Sequence, residues 1–372
     1  MSDNVYKNIP DIVALQYKKI SDKYIAMIAK KLGEIGSLSA DDIHKIRQMG
    51  MYAPRNDVVR IEREIAQLSE KTLQELYDVY EQIAEKSISA SNDLAIIQGM
   101  RIEPYKYNSH LQNTVNAVSK MTAKTFRNLS NTTAIRVRVT DIRGNVIHKT
   151  MYDAYRDAVD DAIRLISMGY ESYDSVIAKT IKEFNDSGLR YVDYESGYSR
   201  RLDSAVRQNV LDGMRDVYQG IQDELSKQLG CNGIEISAHA TCAPDHLPYQ
   251  GRQYTYKQFE KIQDSLSRPF GQWNCRHSWT GIVIGISDPA YSEQTLQQYA
   301  TYSNTPITFN GKTMTRYEAT QELNHLLLEK RKHAELAKLF KIEGNDKQRR
   351  NERMKETAYR KRANELKRAI EK

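Results

Sequence analysis

The chain has 372 residues, 40% hydrophobic and 28% charged, roughly enough for two or three domains and close to ordinary globular composition, which excludes wholesale disorder. Its formal charge of +7 sits at one end: Glu329 to Lys372 holds 16 Lys plus Arg against 8 Asp plus Glu, while the other 328 residues hold 39 and 40. The longest apolar run, Gly281 to Ile286, falls far short of the ~20 residues that span a bilayer, Met1 to Pro10 lacks a leader pattern, and three cysteines make no disulfide framework, so reduced thiols, a cytoplasmic site of assembly and no membrane partner are expected.

Pro10, Asp11 and the spacing of Ile12, Leu15, Ile20, Tyr24, Met27, Ile28 and Leu32 predict a first helix, with Pro10 in its first turn and Gly33 and Gly36 at its end. A short helix is expected from Ser39 to Met49. After Pro54, Ile61, Ile65, Leu68, Thr72, Leu76, Val79 and Ile83 form one amphipathic stripe. It covers barely three heptads, which favours packing within the chain over an intermolecular coiled coil. A helix follows from Leu111 to Asn128. The period then changes: Ile135, Val137 and Val139 alternate with Arg136 and Arg138, and Gly144-Asn145 separates them from Val146 and Ile147, predicting a β-hairpin with arginines on its outer face.

Helical spacing resumes over Tyr152 to Ser167, Asp174 to Asn185 and Leu202 to Leu229, ending at Gly230. Residues 235–287 are rich in Pro, Gly, His, Cys and aromatics and read as a compact loop-rich unit with two β-like runs, Ile234 to Ser237 and Gly281 to Ile286. A helix around Glu293 to Tyr302 precedes a hairpin turning at Asn310-Gly311. The remainder predicts a helix to about Phe340 and a second, basic, solvent-exposed one. The expected fold is α+β and predominantly α-helical. It comprises a helical docking region (1–110), a helical region with the hairpin near 134–148 (111–230), the His/Cys motif unit (231–290) and a basic helical tail (291–372). The 24 Tyr against 6 Phe and 2 Trp suit surfaces wet on one side, such as assembly interfaces, or reflect a composition bias of the host.

The chemistry-bearing residues concentrate in the motif unit. His239, Cys242, His246, Cys275 and His277 place three of eight histidines and two of three cysteines within 39 residues. They supply five donors for a tetrahedral zinc that needs four. The spacing also admits a hydrogen-bonded polar network or a catalytic metal. A zinc deaminase requires His-x-Glu and Cys-x-x-Cys, but Ala240 and Thr241 follow His239 and no Cys-x-x-Cys exists; the zincin pattern His-Glu-x-x-His is absent as well. Gly311-Lys312-Thr313 ends like a P-loop but has Pro306 where the first glycine belongs. His325 and His333 lie on a charged helical stretch and read as solvated. A metal-dependent nuclease remains an alternative, with no second-site carboxylate pattern beyond Asp245 and Asp264. In the tail, Arg349, Arg350, Arg360, Lys361 and Arg362 are candidates for contact with phosphates.

Ile236-Ser-Ala-His239-Ala-Thr-Cys242-Ala-Pro244-Asp-His246-Leu-Pro-Tyr-Gln250-Gly251, then Asn274-Cys275-Arg276-His277-Ser278 and Gly285-Ile-Ser287, together with Ser199 to Arg207, resemble the signature of tailed-phage minor capsid proteins of the second type, relatives of the Mu F-like head morphogenesis proteins. The sharp similarity runs from Ser199 to Ser287. It implies a structural head protein, not an enzyme, present in few copies in the virion interior near the portal vertex. The implied partners are the portal protein or the major capsid protein, with double-stranded DNA met by the basic tail, and the implied role is head assembly, DNA packaging or ejection. Cys242 falls on a variable position of that pattern, which favours His239, His246, Cys275 and His277 as ligands of a structural zinc. Nuclease or plain DNA-binding protein are the alternatives.

Overall fold

The computed structural model describes residues 4–36, 55–130, 134–141, 143–168, 173–192, 199–272 and 275–371. The helix expected from Ser39 to Met49 lies outside them. Among the described residues are ten α-helices: α1 (Asn4–Gly36), α2 (Arg55–Ile97), α3 (Ser109–Ser130), α4 (Met151–Met168), α5 (Tyr173–Ser187), α6 (Leu202–Gln228), α7 (Tyr256–Ser265), α8 (Glu293–Asn304), α9 (Arg316–Glu343) and α10 (Asp346–Glu371). Nine short strands accompany them: β1 (Ile135–Thr140), β2 (Val146–Thr150), β3 (Leu189–Val192), β4 (Ser199–Arg201), β5 (Gly233–Ile236), β6 (Gln253–Thr255), β7 (Trp279–Ile282), β8 (Pro306–Phe309) and β9 (Lys312–Thr315). The architecture is predominantly helical α+β, as expected.

The chain forms two compact units, each assembled from separated stretches. The first takes Met1–Thr72, Thr125–Arg207 and Asn324–Glu365, the second Leu73–Lys124, Gln208–Leu323 and Leu366–Lys372.

In the first unit, α1 begins before Pro10, so that proline lies inside the helix rather than in its first turn and removes one intrahelical bond. Tyr17, Tyr24, Ile25, Ile28 and Leu32 form its buried face. The tyrosine surplus thus feeds the core as well as the surface. The Tyr24 hydroxyl donates to the Met151 carbonyl at 2.6 Å, and Tyr17 shares a hydrogen bond of 2.8 Å with the Ser69 hydroxyl. Burial pushes the Tyr17 phenol up to about 12 and Tyr24 well above its ordinary value, so both stay neutral. The buried face of α2 runs Ile61, Ile65, Ser69 and Thr72 in this unit, and Leu76, Tyr80 and Ile83 where the helix continues into the second. Leu68 and Val79 of the expected stripe are only half-buried.

The predicted hairpin forms: β1 pairs antiparallel with β2, with Ile135, Val137 and Val139 buried. Asp141 closes its turn by accepting the Asn145 and Arg143 N–H groups, each at 2.8 Å, bonds that hold its carboxyl below the ordinary range. Two unpredicted strands extend the hairpin into a four-stranded antiparallel sheet of order β2-β1-β3-β4. His333, expected to be solvated, is instead buried between helices: its Nδ1–H donates to Glu352 Oε2 at 2.5 Å and its ring stacks on Tyr359 at 5.3 Å. The basic last helix is correspondingly not free along its length, since Glu352, Ala363 and Leu366 of α10 are buried.

In the second unit, Val210, Met214, Val217, Ile221 and Leu225 line the buried side of α6. Gly213 lets the Tyr80 hydroxyl approach where any Cβ would collide with it, and that hydroxyl reaches Thr122 Oγ1 at 3.1 Å. The hairpin of β8 and β9 turns at Asn310 (φ 49°) and Gly311 (φ 75°), the paired positive dihedrals that Asn-Gly supplies. The motif unit is organised by a three-stranded antiparallel sheet of order β6-β5-β7. Its apolar centre is small: Ile234, Ile236, Phe259 and Phe270, with Trp279, Tyr254 and Tyr249 packed around it.

Candidate metal centre

The His/Cys residues lie on the loops that leave β5 and enter β7. Ile236 ends β5, and the chain then turns through His239, Cys242 and His246 before returning to β6. The Gly251 N–H donates to the Ile236 carbonyl at 2.9 Å and closes this excursion. Gly251 adopts φ +69°, and a Cβ there would strike Leu296 and Ala238, so both dihedral and space require glycine. Gln250 precedes it, buried to 2% exposure. On the far side, Cys275 and His277 enter β7, whose Trp279 packs on Phe259 at 4.9 Å.

Three of the five candidate donors converge. Cys275 Sγ lies 3.5 Å from His246 Nδ1 and 3.3 Å from His277 Nδ1, and among the described residues these three place their donor atoms within 4.8 Å of one another. Both imidazoles are buried, packed edge and face on Phe270 with centroids 4.2 Å from His246 and 5.0 Å from His277. The far nitrogen of each ring meets an acceptor. His246 Nε2–H donates to the Arg268 carbonyl at 2.7 Å, and His277 Nε2–H donates to Gln250 Oε1 at 3.1 Å. The Gln250 oxygen also accepts the His239 N–H at 3.0 Å, which fixes the orientation of its amide. With those protons placed, both Nδ1 lone pairs aim at one sulfur.

The other two candidates stand outside this group. Cys242, 1% exposed, sits 3.6 Å from His277 Nε2, the opposite edge of that ring, and donates its S–H to the Ala243 carbonyl at 3.3 Å. Burial, with the Cys275 sulfur nearby, pushes its thiol up to about 12. His239 stacks on His277 at 4.6 Å, and its Nδ1 is buried without a hydrogen-bond partner. Burial and the Arg276 charge hold His239 down at about 4; burial and the two neighbouring histidines hold His277 at about 3. Cys275 is lowered despite its burial by the bond to His246, and His246 is raised despite its burial by the same contact.

Two supporting residues are not among the candidate donors, though Gln250 stands in the quoted signature. Gln250 orients His277, and Arg268 orients His246 through its carbonyl while its guanidinium pairs with Asp245 at 2.9 Å. Asp245 is thereby neutralised and Asp264 is exposed, so neither carboxylate joins the three-donor group. α7, absent from the sequence expectation, props this arrangement: Gln263 Oε1 accepts the Phe270 N–H at 2.7 Å. Its start is a capping box of Thr255 and Gln258, a Thr-x-x-Gln signal readable in the sequence.

The candidate phosphate contacts lie along α10. Arg350, Arg360, Lys361 and Arg362 are exposed, with Arg362 over the Tyr359 ring at 6.0 Å, whereas Arg349 is half-buried and paired with Asp346 at 3.0 Å. No described helix is long and apolar enough to cross a membrane. No curated protein and no solved structure matches the chain. The family described as phage minor capsid protein 2 matches residues 1–363, which is nearly the whole sequence. That extent includes the helical regions as well as the His/Cys unit, and the chain accordingly belongs to the phage minor capsid protein 2 family.

Proposed function

We propose that this chain is a structural component of the phage head, held in the capsid interior at or near the portal vertex, where it binds portal protein, major capsid protein or both and serves head assembly, DNA packaging or ejection. The observation that carries the reading is the family match over residues 1–363. The exposed Arg350, Arg360, Lys361 and Arg362 of α10 support a DNA-facing C-terminal helix. Imaging of purified virions carrying a tagged copy, with cross-linking to the portal, tests the placement: density at the internal portal vertex is expected, and a label spread over the outer shell or missing from the particle overturns it.

In the same reading His246, Cys275 and His277 hold a structural zinc. For zinc bonds of about 2.3 Å to sulfur and about 2.05 Å to nitrogen, a tetrahedral site separates the two donors by about 3.5 Å. The observed 3.3 and 3.5 Å fit. Without a cation a single sulfur is left facing both imidazole Nδ1 atoms. The Gln250 and Arg268 acceptors behind the rings are the outer partners that metal-binding histidines require, and the fourth position falls to His239 or to water. Elemental analysis of the purified chain is expected to find one zinc, lost in the His246→Ala and Cys275→Ala variants; a metal-free protein of unchanged stability overturns the site.

A further inference from the structure

The first residue of α9 is an arginine whose charge does not suit its own helix. A helix start carries partial positive charge and favours anions. Thr315 and Glu318 already close this one reciprocally: the Glu318 carboxylate accepts the Thr315 N–H at 2.7 Å, and the Thr315 hydroxyl accepts the Glu318 N–H at 3.2 Å. Arg316 is nevertheless only 8% exposed, and its Nε is buried without a hydrogen-bond partner, which costs further.

What offsets that cost lies on other elements of the same, second unit. Arg316 Nη1–H donates to the Ile370 carbonyl in the last turn of α10, where unpaired carbonyls and the negative end of the helix dipole favour a cation. The guanidinium lies over the Tyr302 ring near the end of α8 at 4.4 Å, a contact that its planar, weakly hydrated charge favours. Its backbone N–H donates to the Thr305 carbonyl at 2.9 Å. One residue thus joins the ends of α8 and α10 at the start of α9. Leu366, four residues before Ile370, is fully buried, so the turn that Arg316 holds is also packed.

We propose that Arg316 is a latch for the end of α10, and that the basic run Arg360-Lys361-Arg362 is presented to DNA from the latched helix; the second part rests on the reading that α10 faces DNA. At 1.5 Å per residue that run lies about 12–15 Å before Ile370, within about three turns of the helix end, the part of a helix that frays. A frayed stretch must be ordered when it binds, at a cost in affinity. A latched one is ordered beforehand. Arg316 is buried and touches no phosphate in this scheme, so it is a positioning residue that leaves the number of ionic contacts unchanged.

The test uses the full chain. Hydrogen exchange of the amides from Lys367 to Glu371 is measured in the native chain and in Arg316→Met, which keeps an apolar stem and removes the donors; exchange about 10-fold faster is expected for the loss of one charged bond. Binding to a labelled duplex of about 30 base pairs is then followed across a salt series. Arg316→Met should bind about 3-fold more weakly with the slope of log K against log salt unchanged, whereas Arg360→Gln/Arg362→Gln should lose about 1.8 from that slope. Unchanged exchange in folded Arg316→Met overturns the latch. Faster exchange with unchanged affinity overturns its part in presenting the basic run, and so does a lowered slope, which would make Arg316 a phosphate contact. A native chain that ignores duplex overturns the DNA-facing reading and the presentation with it, while exchange still decides the latch. If circular dichroism shows Arg316→Met unfolded, Tyr302→Leu removes only the ring beneath the guanidinium and carries the test, with an expected rise in exchange of about 3-fold.

Discussion

The helical core around Tyr17 and Tyr24 and the pocket around His246 and His277 both bury polar groups, and they settle the cost differently. In the helical core each tyrosine hydroxyl finds a partner in the chain, Tyr17 at Ser69 and Tyr24 at the Met151 carbonyl. That network is closed. In the His/Cys pocket two ring nitrogens converge on Cys275 while His239 Nδ1 has no partner. A buried acceptor without a donor costs about 1–3 kcal/mol, so the pocket gains from a ligand that the helical core does not need. On the proposed zinc reading, the difference separates a polar core that is finished by folding from one finished by binding.

The largest expected effect tests whether the pocket has an apolar support of its own. Phe270→Ala removes a ring packed on both imidazoles and is expected to cost about 3–5 kcal/mol in denaturant unfolding; a cost under about 1 kcal/mol would mean that the pocket is held by something other than packing. Next, a chelator should lower the melting temperature of the native chain, by the equivalent of about 2.7 kcal/mol at zinc one hundred times its Kd, and leave His246→Ala/Cys275→Ala unmoved. Identical melts with and without chelator would erase the contrast between the two regions. Tyr24→Phe removes the side-chain bond to the Met151 carbonyl, which keeps its place in the first turn of α4, and should cost about 0.5–1.5 kcal/mol with or without chelator, which calorimetry can check.

Smallest is Asp157→Asn, which removes the pair with Lys149 at 2.7 Å and should cost up to about 1 kcal/mol. Burial raises the Asp157 carboxyl, but the bonds from Lys149 and Arg156 outweigh it and leave the group below its ordinary value. A carboxyl lowered by folding stabilises above its unfolded value of about 3.9 and loses that contribution as pH falls further. The gap between native chain and variant should be full at neutral pH and close in acid; a gap that widens in acid would contradict the assignment.

Much of this was legible from local signals. Asn310-Gly311 specifies its hairpin by dihedral preference alone, and alternating Ile135, Val137 and Val139 mark β1 without any knowledge of its partner. β3 and β4 escape because they are 4 and 3 residues long, and because β3 exists by pairing with a strand some fifty residues away and β4 by pairing with β3. On α2 the apolar stripe pointed to Leu68 and Val79, yet Ser69 and Tyr80 are the buried neighbours, because tyrosine hydroxyls elsewhere make small polar residues welcome in the core. The solvated reading of His333 fails for a related reason: its charged helix meets a buried carboxylate of the next helix, Glu352 of α10, that only the fold brings near. In the site, the His and Cys residues were visible as types, while the geometry that admits three and sets Cys242 aside depends on Gln250 and Arg268, residues with no distinctive chemistry until folded.

The interleaving of the two units has a consequence in time. Each takes its last piece from far along the sequence, residues 324–365 for one and 366–372 for the other, so a ribosome must synthesise through those residues before either can close. Contacts that distant in sequence are slow to form, and the early helices must wait with apolar faces uncovered, prone to association. Removing the C-terminal helix would leave both units incomplete rather than trim an appendage, and the newborn chain is the stage at which an assembly partner or chaperone would meet it unfinished.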